Sequence, residues 1–242
     1  MKKVNIVIGF IVLSIPLFGQ RTDFRAVLNG GLFSFGGTGA NKGTNAITKQ
    51  VTKEAFISIP FGAEKALSYG LSGDIRHVSK HNILSGVDLG VEVLTSKTPI
   101  IHISEITSSG GLGDYDATGA SYLTHTFVTL NPYMGYRFNA AKAHIDVTLG
   151  IDAAYHINEK ATEKGTATIV GGASYSSNSQ IKTIQLDVRP KGQISISMNR
   201  IGIFGGYSYG ISNYQPNDSW KGTFFSRLIR FGLTYQLNNK SL

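Results

Sequence analysis

The fold is decided by LTHTFVTLNPYMGYRF (residues 123–138), the short break NAAK (139–142) and AHIDVTLGIDAAYHI (143–157). Before the break, Thr126, Val128, Leu130, Pro132, Met134, Tyr136 and Phe138 share one face, with His125, Thr129, Asn131, Tyr133 and Arg137 opposite. After it, Ala143, Ile145, Val147, Leu149, Ile151, Ala153 and Tyr155 alternate with His144, Asp146, Thr148, Gly150, Asp152 and His156. Side chains of a strand alternate between its faces, so this is a hairpin of two long strands. Strands of soluble domains run to about five or six residues. These exceed ten, one face nearly all apolar and the other carrying full charges. A transmembrane β-strand has that pattern, with apolar groups toward lipid and polar groups toward the lumen. Tyr136 and Phe138 at one end, and Tyr122 and Tyr155 at the other, stand where interfacial aromatic girdles belong.

Working outward, the same alternation recurs. A first strand spans residues 24–35. An odd-numbered apolar set, Ile57, Ile59, Phe61, Ala63, Leu67, Tyr69, Leu71 and Ile75, marks the second, and residues 83–93 the third. Beyond the hairpin lie strands over residues 184–196, 201–211 and 225–237. That makes eight. Short turns near 79–82, 139–142 and 198–200 alternate with long polar segments at 36–54, 95–121, 158–181 and 212–222, the last holding Trp220. An up-and-down barrel with both termini in the periplasm sorts its connections this way. The predicted fold is therefore all-β: an eight-stranded antiparallel up-and-down transmembrane β-barrel with a filled polar interior. Residues 95–121 and 158–181 are the candidate surface loops, each expected to be removable without loss of insertion.

Composition narrows the setting. The chain has 242 residues, 29 of them glycine, and no cysteine, which excludes disulfides, thiolate metal sites and a lipidated cysteine. Lys2 and Lys3 precede an apolar run ending near Gly19, the pattern of a secretory signal peptide over residues 1–19, with the barrel over 20–242. Net charge is +8, and +6 without Lys2 and Lys3. For an exported chain that excess is either solvated charge on loops and rims or basic loops that meet the phosphates of an anionic outer leaflet, and not a nucleic-acid surface.

Parity assigns the interior charges to Asp74, Arg76, Asp88, Glu92, Arg137, Asp146, Asp152, Asp187, Arg189, Lys191 and Arg230. Eight strands enclose barely enough room for side chains, so these groups must pair with one another. A tight turn over residues 139–142 places Arg137 opposite His144 and diagonal to Asp146. The same register sets His125 opposite His156 at the outer mouth, a pair whose residue types suit a metal ion or a pH response. Asp114 and Asp116 supply too few oxygens for a calcium site. Residues 36–44 lack the order of a phosphate-binding loop. No spacing unites a Ser-His-Asp set. No cofactor is expected, and catalysis is not indicated.

The chain resembles the small outer-membrane β-barrel proteins of Bacteroidetes-type bacteria, the PorT-like group. The likeness rests on the FGQ end of the leader (residues 18–20) and on residues 129–138 (TLNPYMGYRF), 205–213 (GGYSYGISN) and 230–237 (RFGLTYQL), and covers roughly residues 24–237. It implies a membrane barrel inserted by the barrel-insertion machinery, in contact with outer-membrane lipid and lipopolysaccharide, with structural or surface-interaction work. These motifs carry no catalytic residue. Many such barrels end on an aromatic residue; here the last one is Tyr235. The competing readings are a narrow, porin-like passive channel or small-ligand carrier, and a lipid-acting enzyme. A soluble calycin-type barrel would be apolar inside, the reverse of this parity.

Overall fold

The computed structural model describes residues 19–49, 55–106, 111–158, 160–215 and 222–238. Residues 1–18 of the expected signal peptide, and Trp220, lie outside them. Among the described residues twelve strands follow in order: β1 Gly19–Gly36, β2 Thr44–Lys49, β3 Ala55–Ile57, β4 Glu64–Ser79, β5 Ile83–Ile106, β6 Leu112–Ala140, β7 Ala143–His156, β8 Lys160–Ile169, β9 Ser174–Lys182, β10 Leu186–Met198, β11 Ile201–Tyr209 and β12 Phe225–Gln236.

Eight of them close a ring, β1-β4-β5-β6-β7-β10-β11-β12, with every neighbour antiparallel. Closure is made by β1 and β12, from Arg25↔Gln236 to Gly36↔Phe225. At one end sit tight turns whose left-handed positions fall on Asn82, Ala141 and Asn199. Asparagine tolerates positive φ better than most residues, and two-residue hairpin turns require it.

The barrel wall is inverted relative to a soluble domain. Val147, Leu149 and Ile151 are 39%, 68% and 51% exposed on the outer surface, whereas Asp146 and Asp152 are 1% exposed inside. Phe24, Tyr136, Phe138 and Tyr235 ring the outer surface toward the turn end, and Tyr69, Tyr155 and Tyr207 toward the other. Such a surface is stable only in hydrocarbon, which defines a transmembrane β-barrel.

In three of the long connections the described residues are largely strands. β2, β3, β8 and β9 join the distal parts of β5 and β6 in a sheet ordered β3-β2-β5-β6-β8-β9, standing beyond the barrel. β2 runs parallel to β5; the other pairs are antiparallel. Its inner face holds a separate core of Ala46, Ala55, Ile100, Ile103, Ala117, Ala167 and Tyr175. This corrects the expectation of polar loops at 36–54, 95–121 and 158–181. Along KATEKGTATI (160–169) the buried positions are Ala161, Glu163, Gly165 and Ala167, too small or too polar for alternation to stand out.

Two further corrections concern register. Arg137 lies opposite Asp146 and Asn139 opposite His144, because the turn pairs Ala140 with Ala143. The ladder is therefore displaced by two residues from the one expected, and His156 faces Phe127. Phe61, expected on the outer face, is 1% exposed and inside. The backbone between β3 and β4 is irregular, so parity does not carry from Ile57 to Leu67.

Candidate functional site

The interior is built in layers. Nearest the turns, Arg21, Asp23, Arg76, Asp146 and Arg137 form a chain of alternating charge. Arg21 Nε donates to Asp23 at 2.5 Å, Arg76 bridges Asp23 (3.2 Å) and Asp146, and Arg137 holds Asp146 by two bonds of 2.8 and 2.9 Å. The next layer joins Arg25 Nε to Asp74 at 2.6 Å, with the Tyr133 hydroxyl donating to Asp74 at 2.7 Å. Tyr133 needs Gly86: a Cβ there would lie 2.5 Å from its hydroxyl oxygen. Asp88, to one side, accepts from Ser72 at 2.8 Å.

The middle layer is the densest. Arg230 grips Glu92 from Nε (2.9 Å) and Nη2 (2.7 Å), and the same Nη2 lies 2.7 Å from Asp152. Arg189 donates to Glu92 at 3.0 Å, with Asp187 at 3.7 Å and Asp152 at 3.8 Å. Lys191 lies 3.7 Å from Asp152. Asp187 also accepts from Tyr214 (2.8 Å) and Ser226 (2.7 Å). Bidentate, hydrogen-bonded pairing is what allows charges to remain where water is scarce. All eleven interior residues expected from parity lie in this lumen; ten of them form ion pairs there, whereas Asp88, expected to pair with a cation, is held among the described residues by the Ser72 hydroxyl. Asp23, Arg25, Tyr214 and Gln236 belong to it as well.

Beyond Asp187 the lumen turns apolar. Phe33, Phe35, Phe61, Leu94, Leu123, Phe127, Tyr214, Phe224 and Leu228 fill it. Phe35 is the hub, its ring centroid 5.0 Å from Phe33, 5.1 Å from Phe61 and 4.8 Å from Tyr214, all near edge-to-face. Such contacts add to the burial of the rings themselves. The polar interior is thus plugged at the end nearer the distal sheet. Among the charged layers a cavity of about 30 Å³ remains, room for one or two waters. A vestibule of about 250 Å³ opens at the turn end, lined by Arg21, Arg76, Arg137, Lys142 and His144.

His125 and His156 do meet, though diagonally, with ring centroids 5.3 Å apart. His125 is buried against Phe127, Phe35 and Tyr214, and His156 sits beside the Asn158 carbonyl. Among the described residues no third metal-ligating side chain joins them. The pair belongs to the plug. Asp114 and Asp116 are engaged by Ser104 and His102.

The distal sheet has polar anchors of its own. Glu163, fully buried, accepts from Ser121 (2.5 Å), Ser177 (2.8 Å) and Ser179 (2.9 Å). Tyr175 donates to Glu105 at 2.8 Å; burial, then this bond, push the phenol's pKa up. In Tyr175→Phe the Glu105 carboxylate loses its donor inside the sheet, a cost of about 1–3 kcal/mol. We expect faster cleavage of β8 and β9 by an added protease with the barrel fragment unchanged. Equal cleavage rates would show that this core does not hold the sheet.

No protein-family model and no curated protein sequence matches this chain. Among solved structures it is similar to Neisserial surface protein A (NspA), at 8% identity and TM-score 0.39, covering 90% of this chain and 99% of that one. It is also similar to Ail, the attachment invasion locus protein of Yersinia pestis, solved in complex with the heparin analogue sucrose octasulfate. There the identity is 10% and the TM-score 0.30, with 88% and 99% of the two chains covered.

Proposed function

We propose that this chain is a non-catalytic outer-membrane surface protein of a Gram-negative bacterium. The barrel is its anchor and the distal six-stranded sheet its contact surface. The turns face the periplasm and the sheet faces outward, the arrangement usual for bacterial barrels with short periplasmic turns. Export through a cleaved leader, delivery by the barrel-insertion machinery and kinship with the PorT-like barrels belong to the same reading. One observation carries it: the lumen is packed with paired charges and plugged by aromatic rings, while the ordered, separately cored structure lies outside the barrel. A protein that transports or carries a ligand would spend its side chains the other way.

Two measurements test this. Membrane fractions run boiled and unboiled on a gel should show a heat-dependent shift of the band. An epitope inserted in the turn at Gly171, which is in the left-handed region with open space around it, should be labelled on intact cells. Identical mobility in a soluble fraction, or labelling only after lysis, would overturn the proposal. The channel alternative predicts conductance in planar bilayers. The plug predicts none, and steady ohmic currents from purified protein would restore the channel.

A further inference from the structure

The outer face just beyond the apolar band carries an arrangement that folding alone does not favour. Lys160 on β8 and Lys182 on β9 are directly opposed in the ladder, both exposed on the outer face. Like charges facing each other across a strand pair are destabilising. Thr162 pairs with Thr124, the last rung that β8 shares with β6, and Lys160 lies two residues nearer the barrel along β8; at Thr126 the β6 ladder passes to Ile157. Thr126 shares a rung with Val93 and Tyr69, near the outer limit of the lipid-facing band. Four residues further out, Lys97, Tyr122 and Lys164 occupy one rung across β5, β6 and β8. The two lysine levels are about 13 Å apart along the strands.

Among the described residues little opposes these charges. Glu64 pairs with Lys97 at 3.0 Å and raises its pKa. Among the described residues no carboxylate pairs with Lys160, Lys164 or Lys182. Thr95, Thr124 and Thr162 present hydroxyls between the two levels. Directly below, Tyr155, Leu186 and Ile151 offer an apolar track along β7 and β10. Cations and hydroxyls at the headgroup level over an apolar track are complementary to an anionic amphiphile.

We propose that Lys160 and Lys182, with Lys164 and Lys97 above them, bind the phosphate groups of an outer-leaflet glycolipid whose acyl chains lie along β7 and β10. This rests on the outer-membrane reading and on the sheet facing outward.

The test uses the folded full-length protein in neutral detergent micelles, titrated with bisphosphorylated lipid A and, separately, with dephosphorylated lipid A. Wild type should prefer the phosphorylated form, with binding that weakens as salt rises. K160Q/K182Q should lose about twenty-five-fold in affinity for it, near fivefold per lysine, and nothing for the dephosphorylated form. K80Q, on a turn at the opposite end, should match wild type. In lipid-free micelles K160Q/K182Q should be at least as resistant to heat as wild type, since a repulsion has been removed.

Equal affinity of wild type and K160Q/K182Q, or no preference for phosphate, would overturn the site. So would a K160Q/K182Q barrel less stable than wild type without lipid, or lysine-dependent binding of a soluble sulfated polysaccharide with none of lipid A. Heat-modifiability of the same sample separates these results from failure of the barrel reading itself, since a folded barrel that ignores phosphate defeats only this proposal.

Discussion

Replacing Arg189 by methionine should cost the barrel about 3–5 kcal/mol, the usual consequence of deleting one partner from a buried ionic cluster. Arg189 is fully buried, and its guanidinium answers Glu92, Asp152 and Asp187. It also lies 5.8 Å from the centre of the Phe127 ring, where the charged layers meet the plug. Methionine fills most of the volume, so the loss is chiefly electrostatic: Arg230 and Lys191 are left to balance three carboxylates in a space that admits about two waters. Urea unfolding from lipid vesicles, followed by loss of the heat-modifiable band, reads the effect as a lower midpoint. Asp152→Asn in the same chain should restore part of it, because it removes one unbalanced negative charge; the coupling is measured by the double-mutant cycle. An unchanged midpoint in Arg189→Met would mean that water screens these charges. The interior would then be a wet lumen, and the channel alternative would regain its footing.

The residues that define this cluster are largely legible in the sequence. Asp152, Asp187, Arg189 and Arg230 sit at alternate positions in long strands whose other face is apolar, and full charges repeating with period two against such a face mark a wall between lipid and lumen. Asp23 and Arg25 are harder to see for a physical reason. Their strand continues inward with Val27, Phe33 and Phe35 on the same face. Those rings belong to the plug, so the first strand is charged at one end of its inner face and aromatic at the other, and the contrast between faces disappears. Phe61 and Tyr214 arrive in the plug from irregular segments, where parity has no meaning. The distal sheet is hidden more completely. Apart from Ile100, Ile103 and Tyr175, its buried positions are mostly Ala, Gly, Ser, Thr and the carboxylates Glu105 and Glu163, which as sequence look like a loop. Pairing of β2 and β8 with the far ends of β5 and β6, and of β3 and β9 with β2 and β8 in turn, makes strands of them.

The direction of the outer side chains gives the second large effect. Leu149, midway along β7 between Met134 and Gly192, should not tolerate arginine. A lipid-facing arginine at the bilayer midplane costs about 2–4 kcal/mol, falling to roughly 0–1 kcal/mol near the interfaces. Met198, as exposed as its neighbours but beside the turn at the end of β10, is the matched comparison. Leu149→Arg should therefore lower the urea midpoint in vesicles severalfold more than Met198→Arg, while both fold comparably in detergent, where the micelle deforms around the charge. The two surfaces are chemically alike in the isolated chain, and water would treat them alike: an exposed surface substitution in a soluble protein stays within about 0.5 kcal/mol. A depth-dependent penalty requires a low-dielectric slab around the middle of the barrel. Equal, small effects at Leu149 and Met198 would remove that slab, and with it the physical reason for ionised groups lying inside the cylinder while aliphatic ones lie outside.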